Sequence, residues 1–484
     1  MASAVGAVSS DNQWCQSARS QLGTRRRNLA GGVLHVDDAG RFFLADEAMQ
    51  ARLDADELEN GDTAFLARTG HLRRPGLQTH AATFAAARRR CTASPLDYLI
   101  LVPTLRCNLA CSYCQVSRAD VGSRRHDWSE ETLDAVLAIV RGLDARAVKI
   151  EFQGGEPTLR PDLIRRVMEA VPAGIDATFV VCTNLQEVGS DVLSVFYRED
   201  VQISTSLDGA AATHGRQRTG GVNRTDLFFR NLDFLLDRYG PGKISALPTV
   251  DPASPPPASE LIEAFSSRGL HSIYLRPINY QGFARKRHPH ARDLNADWRS
   301  YHEEFVRTLI ARNWANRTVV LEESYFSLLL RRIFRPGQDR HVDLRNPNPV
   351  GRDYVVIDHD GQVYPTDEAR MLTRSGVIDL AIGDVERGWD TPERAALDAT
   401  STNDGDPHCE ACAYKPFCGR DLVDDIARYG RVDLPRPETE FCRRHLHLFD
   451  LAFDLIHSQD EAVLYSFRRW LGLAGDDVRL GVRQ

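Results

Sequence analysis

Cys107, Cys111 and Cys114 stand in the run RCNLACSYCQ, directly after an apolar stretch, Tyr98 to Val102. Thiolates are the usual holders of iron–sulfur clusters, and four are expected where a cluster only carries electrons. Cys-x3-Cys-x2-Cys spacing supplies three, which leaves one iron open to a cofactor or a substrate. The plainer readings are a zinc knuckle short of one ligand, or three buried thiols. A second set lies far downstream in CEACAYKPFCGRDL: Cys409, Cys412 and Cys418, with Cys442 beyond. Four thiols satisfy one tetrahedral zinc or one 4Fe–4S cluster.

The rest of the composition narrows the setting. The ten cysteines are clustered, not spread as a disulfide framework, which favours ligation in a reducing cytoplasm. Cys15, Cys91 and Cys182 stand apart and are expected to be small buried apolar residues. A chain of 484 residues implies several domains, and 42% apolar with 26% charged content is that of a globular protein. The net charge of −7 gives no basic field for nucleic acid. The basic runs Arg25–Arg27 and Arg88–Arg90 read as solvated arginines near domain edges. MASAVGAVSSDNQW lacks the pattern of a signal peptide, and no stretch approaches the ~20 apolar residues of a membrane span, so a cytoplasmic protein is expected.

These residues need elements to position them. Residues 1–30 read as poorly ordered, and 31–95 as a small α+β module. In that module a hairpin turns at Asp37–Gly40 and helices follow at Glu47–Leu58 and Asp62–Thr69. A leader peptide docking on its strand edge is one use for such a module; a plain N-terminal wrap is the other. From residue 96 strands and helices alternate. Strands are expected at 98–103, 147–152, 177–182, 201–207, 243–250 and 271–278, with helices between. Such alternation implies an α/β fold of parallel strands, and six units would make a partial (β/α)6, TIM-like barrel over 96–285. A helical bridge (Asp297–Asn313, Ser324–Phe334) is expected in 286–350. A hairpin turning at Asp358–Gly361 and the cysteine-rich segment fill 351–450. A helix from His445 to Leu471 and a tail close the chain.

Parallel sheets gather function at the C-terminal ends of their strands. The first strand end carries the Cys107 loop. The second carries Gln153–Thr158, QGGEPT, in which Gly154 and Gly155 allow close approach and Glu156 can accept from an ammonium. Thr183-Asn184 follow the third, Ser204 and Ser206 lie in the fourth, and Arg218 lies beyond. Asp208-Gly209 reads as a turn. Arg276 in the sixth strand points to the same edge, as a candidate for lining a substrate cavity.

The Cys107 motif, with Tyr113 before its last cysteine, resembles the signature of the radical S-adenosylmethionine (SAM) enzymes. Gly154, Gly155, Glu156 and Pro157 resemble the motif that holds the methionine amino group in that family. The resemblance implies ribose contacts from Asn184, Ser204 or Ser206, and Arg218 on the SAM carboxylate. Beside such a core, the downstream cysteines look like a SPASM or twitch domain carrying auxiliary clusters. Thr366 and Leu422 stand where the full SPASM pattern has cysteines. The resemblance therefore implies two 4Fe–4S clusters: one binding SAM on Cys107/Cys111/Cys114, one auxiliary on Cys409/Cys412/Cys418/Cys442.

CQVSRAD (114–120), LRPINYQGFARKRH (275–288), VDLRNPN (342–348) and YPTDEARML (364–372) resemble the B-component radical SAM maturase of the His-Xaa-Ser peptide system. This implies a ribosomally made precursor peptide as substrate, a second radical SAM maturase as possible partner, and an electron donor such as flavodoxin or ferredoxin. The implied chemistry is reductive cleavage of SAM to a 5′-deoxyadenosyl radical, hydrogen abstraction from the peptide and an oxidative crosslink. Asp367 or Glu368 is a candidate base, with a surface turn paired to Arg370 as the plain alternative. Thioether formation, epimerisation and formylglycine-type sulfatase maturation are rival outcomes. A zinc-binding scaffold is the rival outside enzymes.

Overall fold

The computed structural model describes residues 22–72, 83–84, 86–87, 89–115, 117–279, 281–288, 294–335, 344–473 and 480. The N-terminal module is a three-stranded antiparallel sheet: β1 (Arg25–Leu29), β2 (Gly32–Val36) and β3 (Phe42–Ala45), in that order. The hairpin forms where expected, with the Gly40 N–H donating to Asp37 O and Gly40 at φ +71°. Residues 1–21 lie outside the described set, but the expectation of disorder is wrong for 25–29. Strand β1 is pinned: Arg27 Nε donates to Asp450 at 2.8 Å and Arg25 Nε to the Glu410 carbonyl at 2.5 Å. Arg89 likewise is no solvated edge residue; it donates to the carbonyls of Ala39 and Arg332 and lies over the Phe417 ring. Helices Glu47–Ala55 and Asn60–Arg68 cover the module's own core of Phe43, Met49, Leu53, Phe65 and Leu66. The first stops before Leu58 because Asp56 turns left-handed.

The main sheet is built from β4 (Tyr98–Thr104), β7 (Ala147–Gly154), β8 (Asp176–Cys182), β9 (Val201–Ser206) and β10 (Ile244–Leu247). They pair in parallel in the order β10-β9-β8-β7-β4. Between β4 and β7 lie the two-residue strands β5 (Arg106–Cys107) and β6 (Ala119–Asp120), which brace the cysteine loop. Alternation along the strands divides the two faces. In β7, Val148, Ile150 and Phe152 are buried against the helices, as are Phe179 and Val181 of β8 and Ile203 of β9. Helices Glu130–Arg141 and Pro161–Ala170 supply Leu133, Val136, Leu137, Val140, Leu163, Ile164 and Val167 to that layer. Ser129 caps the first, as its sequence predicts.

The fifth and sixth expected strands are each broken. Pro248 has no N–H to give a ladder, so 243–250 divides into β10 and β11 (Thr249–Val250). The sixth becomes β12 (Ser272–Ile273), paired with β14 (Glu322–Glu323), and β13 (Arg276–Pro277), paired with β11. On its other side the sheet grows beyond the core. Strand β15 (Tyr354–Ile357) pairs in parallel with β4, and β16 (Gln362–Tyr364) and β17 (Gly383–Asp384) follow antiparallel. The 351–450 segment thus shares the core's sheet. The helical bridge forms as Asn295–Ala315 and Ser324–Phe334, and residues 336–343 after it lie outside the described residues. The single C-terminal helix expected over His445–Leu471 is two, Glu440–His457 and Glu461–Trp470. Left-handed Gln459 ends the first turn of chain and Asp460 caps the second helix. Among the described residues no helix is long and apolar enough to cross a membrane.

Candidate active site

A cavity of about 410 Å³ opens at the C-terminal ends of β4, β7, β8 and β9. Cys107, Cys111 and Cys114 all line it as free thiols. The loop that carries them is held from several sides. Arg106 Nε and Nη2 each donate to Asp127 at 2.7 Å, and Asp127 also accepts from Thr104 and Arg160. The Ser112 N–H donates to Gln217 O, and Arg287 donates to Cys111 O. Burial pushes the Cys107 thiol up to about 12, and the Cys111 thiol is raised too, with the Arg218 charge opposing. Such thiols ionise when a bound cation replaces the lost water, so the donor set fits a cationic metal cluster.

Gly154, Gly155 and Glu156 line the cavity, whereas Pro157 is buried behind it and opens the short helix Pro157–Leu159. The glycines are required by the neighbouring backbone. A Cβ at Gly154, where φ is +133°, would lie 2.2 Å from Thr104 O, and one at Gly155 would lie 2.2 Å from Arg106 O. Glu156 departs from expectation. It is 1% exposed, and its carboxylate accepts from Thr158 Oγ1 and from the Asn184 N–H, both at 2.7 Å. Burial raises its pKa while these donors oppose. Its side chain ties the turn to the end of β8.

Asn184 Nδ2 donates to Asn108 at 2.8 Å and lies 3.7 Å from Cys107 Sγ, so it touches the cysteine loop directly. Ser204 and Ser206 line the cavity from β9. Arg218 sits on the π-helical turn Gly215–Thr219 and donates to Tyr113 Oη at 2.6 Å. The Tyr113 hydroxyl donates to Asp208 at 2.5 Å, and Asp208 also accepts the Thr249 N–H. Asp208, read from sequence as a turn residue, is therefore a buried anchor, 1% exposed, for the aromatic residue of the motif.

Sequence reasoning missed a further group on the cavity-facing side of the strands. Glu151 accepts from Tyr98 Oη at 2.7 Å, from Gln153 at 2.6 Å and from the Cys182 thiol at 3.3 Å, with Lys149 Nζ 3.0 Å away. Burial works against its charge, yet Lys149, Gln153 and Tyr98 together hold its pKa below the usual value. Cys182 is thus a polar contact in the cavity wall, not the buried apolar residue expected. The signal was present in AVKIEFQG, where charged residues alternate with apolar ones.

The C-terminal segment completes the wall. Thr366 caps the helix Asp367–Arg374, and Thr366, Asp367 and Glu368 all line the cavity. Asp367 does pair with Arg370, whose Nε donates at 2.8 Å, but Arg370 is fully buried and the turn is not on the surface. Glu368 lines a second, adjoining cavity as well. The other four cysteines converge on the helix Pro407–Ala411, the loop after it and the first turn of Glu440–His457. Burial raises Cys409 to about 12 and Cys442 to about 11, with Asp406 and the Cys412 thiol adding to it and Arg436 opposing. Leu422, where the sequence lacks a cysteine, begins the helix Leu422–Tyr429 and is buried.

The three-thiol loop after the first parallel strand and the glycine turn from the second both lie within the stretch that matches a known family model. Residues 101–252 match the model of the radical SAM superfamily. Over 138 residues the chain is 31% identical to GTP 3′,8-cyclase of Chlorobaculum tepidum, covering 28% of this chain and 38% of that protein. It is 37% identical over 94 residues to molybdenum cofactor biosynthesis protein 1 of Bos taurus, covering 19% and 14%. The chain thus spans less than two fifths of the length of these curated relatives. In solved structures, native anSMEcpe with bound AdoMet is similar over 74% of this chain and 97% of its own, at a TM-score of 0.58 and 16% identity. The same protein with AdoMet and the Cp18Cys peptide scores 0.58 at 17% identity. The likeness is one of fold.

Proposed function

We propose that this protein is a radical SAM maturase acting on a ribosomally made precursor peptide, one with His-Xaa-Ser repeats, and that its product is an oxidative crosslink. The observation that carries the reading is the convergence of the three thiols, the glycine turn and Asp367-Glu368 of the C-terminal segment on one cavity. Bound at Cys107, Cys111 and Cys114, a 4Fe–4S cluster with SAM would supply a radical that takes hydrogen from an unactivated carbon. The chain's own residues then do the rest. Asn184 and Arg106 hold the cysteine loop in place. Tyr113, Arg218, Ser204 and Ser206 wall the SAM seat.

Crosslinking releases a proton, and Glu368 is the favoured acceptor. It lines both cavities, and so lies where a substrate passing between them would be. Cys409, Cys412, Cys418 and Cys442 would hold an auxiliary 4Fe–4S cluster as an electron acceptor. Zinc would draw thiolates to about 3.8 Å apart, from bonds of about 2.3 Å in a tetrahedron. Among the described residues only Asp358, His359 and Asp360 bring three possible ligand atoms within 4.8 Å of one another. Metal analysis separates zinc from iron on either cysteine set. Arg374 donates to all three members of that other group. The N-terminal module would take a leader peptide along β3, since β1 is engaged with the C-terminal segment. A flavodoxin- or ferredoxin-type donor and a second radical SAM maturase complete the proposed system.

The test is anaerobic reconstitution and co-expression with a His-Xaa-Ser precursor, read by metal analysis, 5′-deoxyadenosine release and tandem mass spectrometry. The expected peptide is two hydrogens lighter per crosslink. Unchanged mass with inverted stereochemistry would replace the crosslink with epimerisation, a cysteine-dependent link with a thioether, and an aldehyde with formylglycine. Zinc without iron, or no 5′-deoxyadenosine under dithionite, would overturn the enzyme reading.

A further inference from the structure

We propose that Arg276 is the receptor for a carboxylate on the substrate, at the neck between the cofactor cavity and a second chamber. The second chamber, of about 170 Å³, lies against the helical bridge and the C-terminal segment. Gln115, Tyr274, Arg276 and Glu368 line both cavities and so form the neck. Arg276 sits on β13, held opposite Thr249 of β11.

Among the described residues Arg276 has no hydrogen-bond or ion-pair partner, and its Nε is buried. Other arginines of the second chamber are engaged: Arg299 donates to Glu440 at 2.7 Å and Arg428 to Asp424 at 2.9 Å. Asp208 is within reach of the Arg276 charge, but its two oxygens are taken by Tyr113 and the Thr249 N–H. The buried Arg276 Nε is without a hydrogen-bond partner, which is costly, and a planar carboxylate offers two parallel hydrogen bonds to the guanidinium fork. An anion entering the neck would therefore be held there, beside the open side of the cysteine loop.

Two anions compete for the assignment: the carboxylate of SAM and one on the substrate. Arg218 is the better seat for SAM, because its charge reaches Cys111 and it contacts Tyr113 of the same loop. Arg276, shared with the outer chamber, is left for an aspartate, a glutamate or a C-terminus of the substrate. The assignment rests on reading the cavity as that of a SAM-dependent enzyme acting on a peptide.

The experiment is residue-resolved labelling of the reconstituted full chain with phenylglyoxal, an arginine reagent, at matched ionic strength. The probes are SAM, N-acetylglutamate N-methylamide and its neutral glutamine isostere. Arg276 is expected to react in the SAM-bound protein. The glutamate probe should slow that reaction about tenfold more than the isostere, as a charge-assisted bond exceeds a neutral one. Protection by SAM alone would assign Arg276 to the cofactor and overturn the proposal. So would equal protection by the two probes, or no labelling at all. A protein that released no 5′-deoxyadenosine would refute the maturase reading, while the labelling would still report on the carboxylate seat.

Discussion

Gly155→Ala tests how the cysteine loop is held. An alanine Cβ at this position would lie 2.2 Å from Arg106 O and 2.3 Å from Leu105 O, both backbone atoms of the loop that leads into Cys107. Carbon and carbonyl oxygen meet at about 3.3 Å, so the loop must withdraw by about 1 Å. Withdrawal stretches the bonds from the Gly155 N–H to Thr104 O, at 3.0 Å, and from the Glu156 N–H to Arg106 O, at 2.7 Å. Two such bonds at about 1 kcal/mol each, with about 1–3 kcal/mol for overpacking, give about 3–5 kcal/mol. The strain falls on the three-thiol loop and spares the distant cysteines. Iron per chain after reconstitution should therefore fall from about eight to about four atoms, and 5′-deoxyadenosine release should be lost. Gly174→Ala, with nothing within 4 Å of its Cβ, is the matched control and should change neither. A Gly155→Ala protein with the iron content and SAM cleavage of the parent would refute this account of the loop.

Arg370→Met should lower stability by about 3–5 kcal/mol in denaturant unfolding, because it leaves Asp367 and Asp358 buried without their shared cation. A loss below about 1 kcal/mol would mean that the carboxylates reach water. The pH dependence should show His35, which is fully buried between Thr24 and Gln50. Burial holds its folded pKa down at about 4, against 6.5 in the unfolded chain. The unfolded chain then binds the proton first, so stability is full above about 6.5 and is lost progressively as the pH falls towards 4. The loss totals about 3 kcal/mol at 1.36 kcal/mol per unit. His35→Asn should flatten that part of the profile, and an equal slope in both proteins would rule His35 out.

Much of the core was legible because its strands alternate. Apolar residues face the helices, and the opposite residues, Glu151, Gln153, Cys182, Ser204 and Ser206, face the cavity. The same period marks Glu151, since Lys149 and Glu151 of AVKIEF share one polar face of the strand. Pro248 would have announced the break between β10 and β11, since it cannot donate to a ladder. Asp208 was harder. Asp-Gly is a strong turn signal, and only the folding of Tyr113 and Thr249 onto it makes it a buried acceptor. Long-range partners of this kind, like those of Arg27 and Arg89, have no local signature.

The placement of the C-terminal hairpin follows from contacts of both sorts. Tyr354 lies in register with Tyr98, and their rings stack with centroids 4.9 Å apart, so β15 joins the sheet at the cavity wall. Trp128 Nε1 donates to Asp358 O at 3.0 Å and fixes the hairpin turn to the core. The Asp358 carboxylate, whose pKa is held down chiefly by Arg370 against the cost of burial, takes Arg374 Nε at 2.7 Å. Thr366, where the resemblance to SPASM domains calls for a cysteine, instead accepts the Ala369 N–H at 3.1 Å and starts the helix. An ionic network and a helix cap thus hold the segment at the position where the SPASM pattern calls for a cysteine. That arrangement places Asp367 and Glu368 at the cavity wall, with the Asp367 carboxylate held by Arg370 at 2.8 Å.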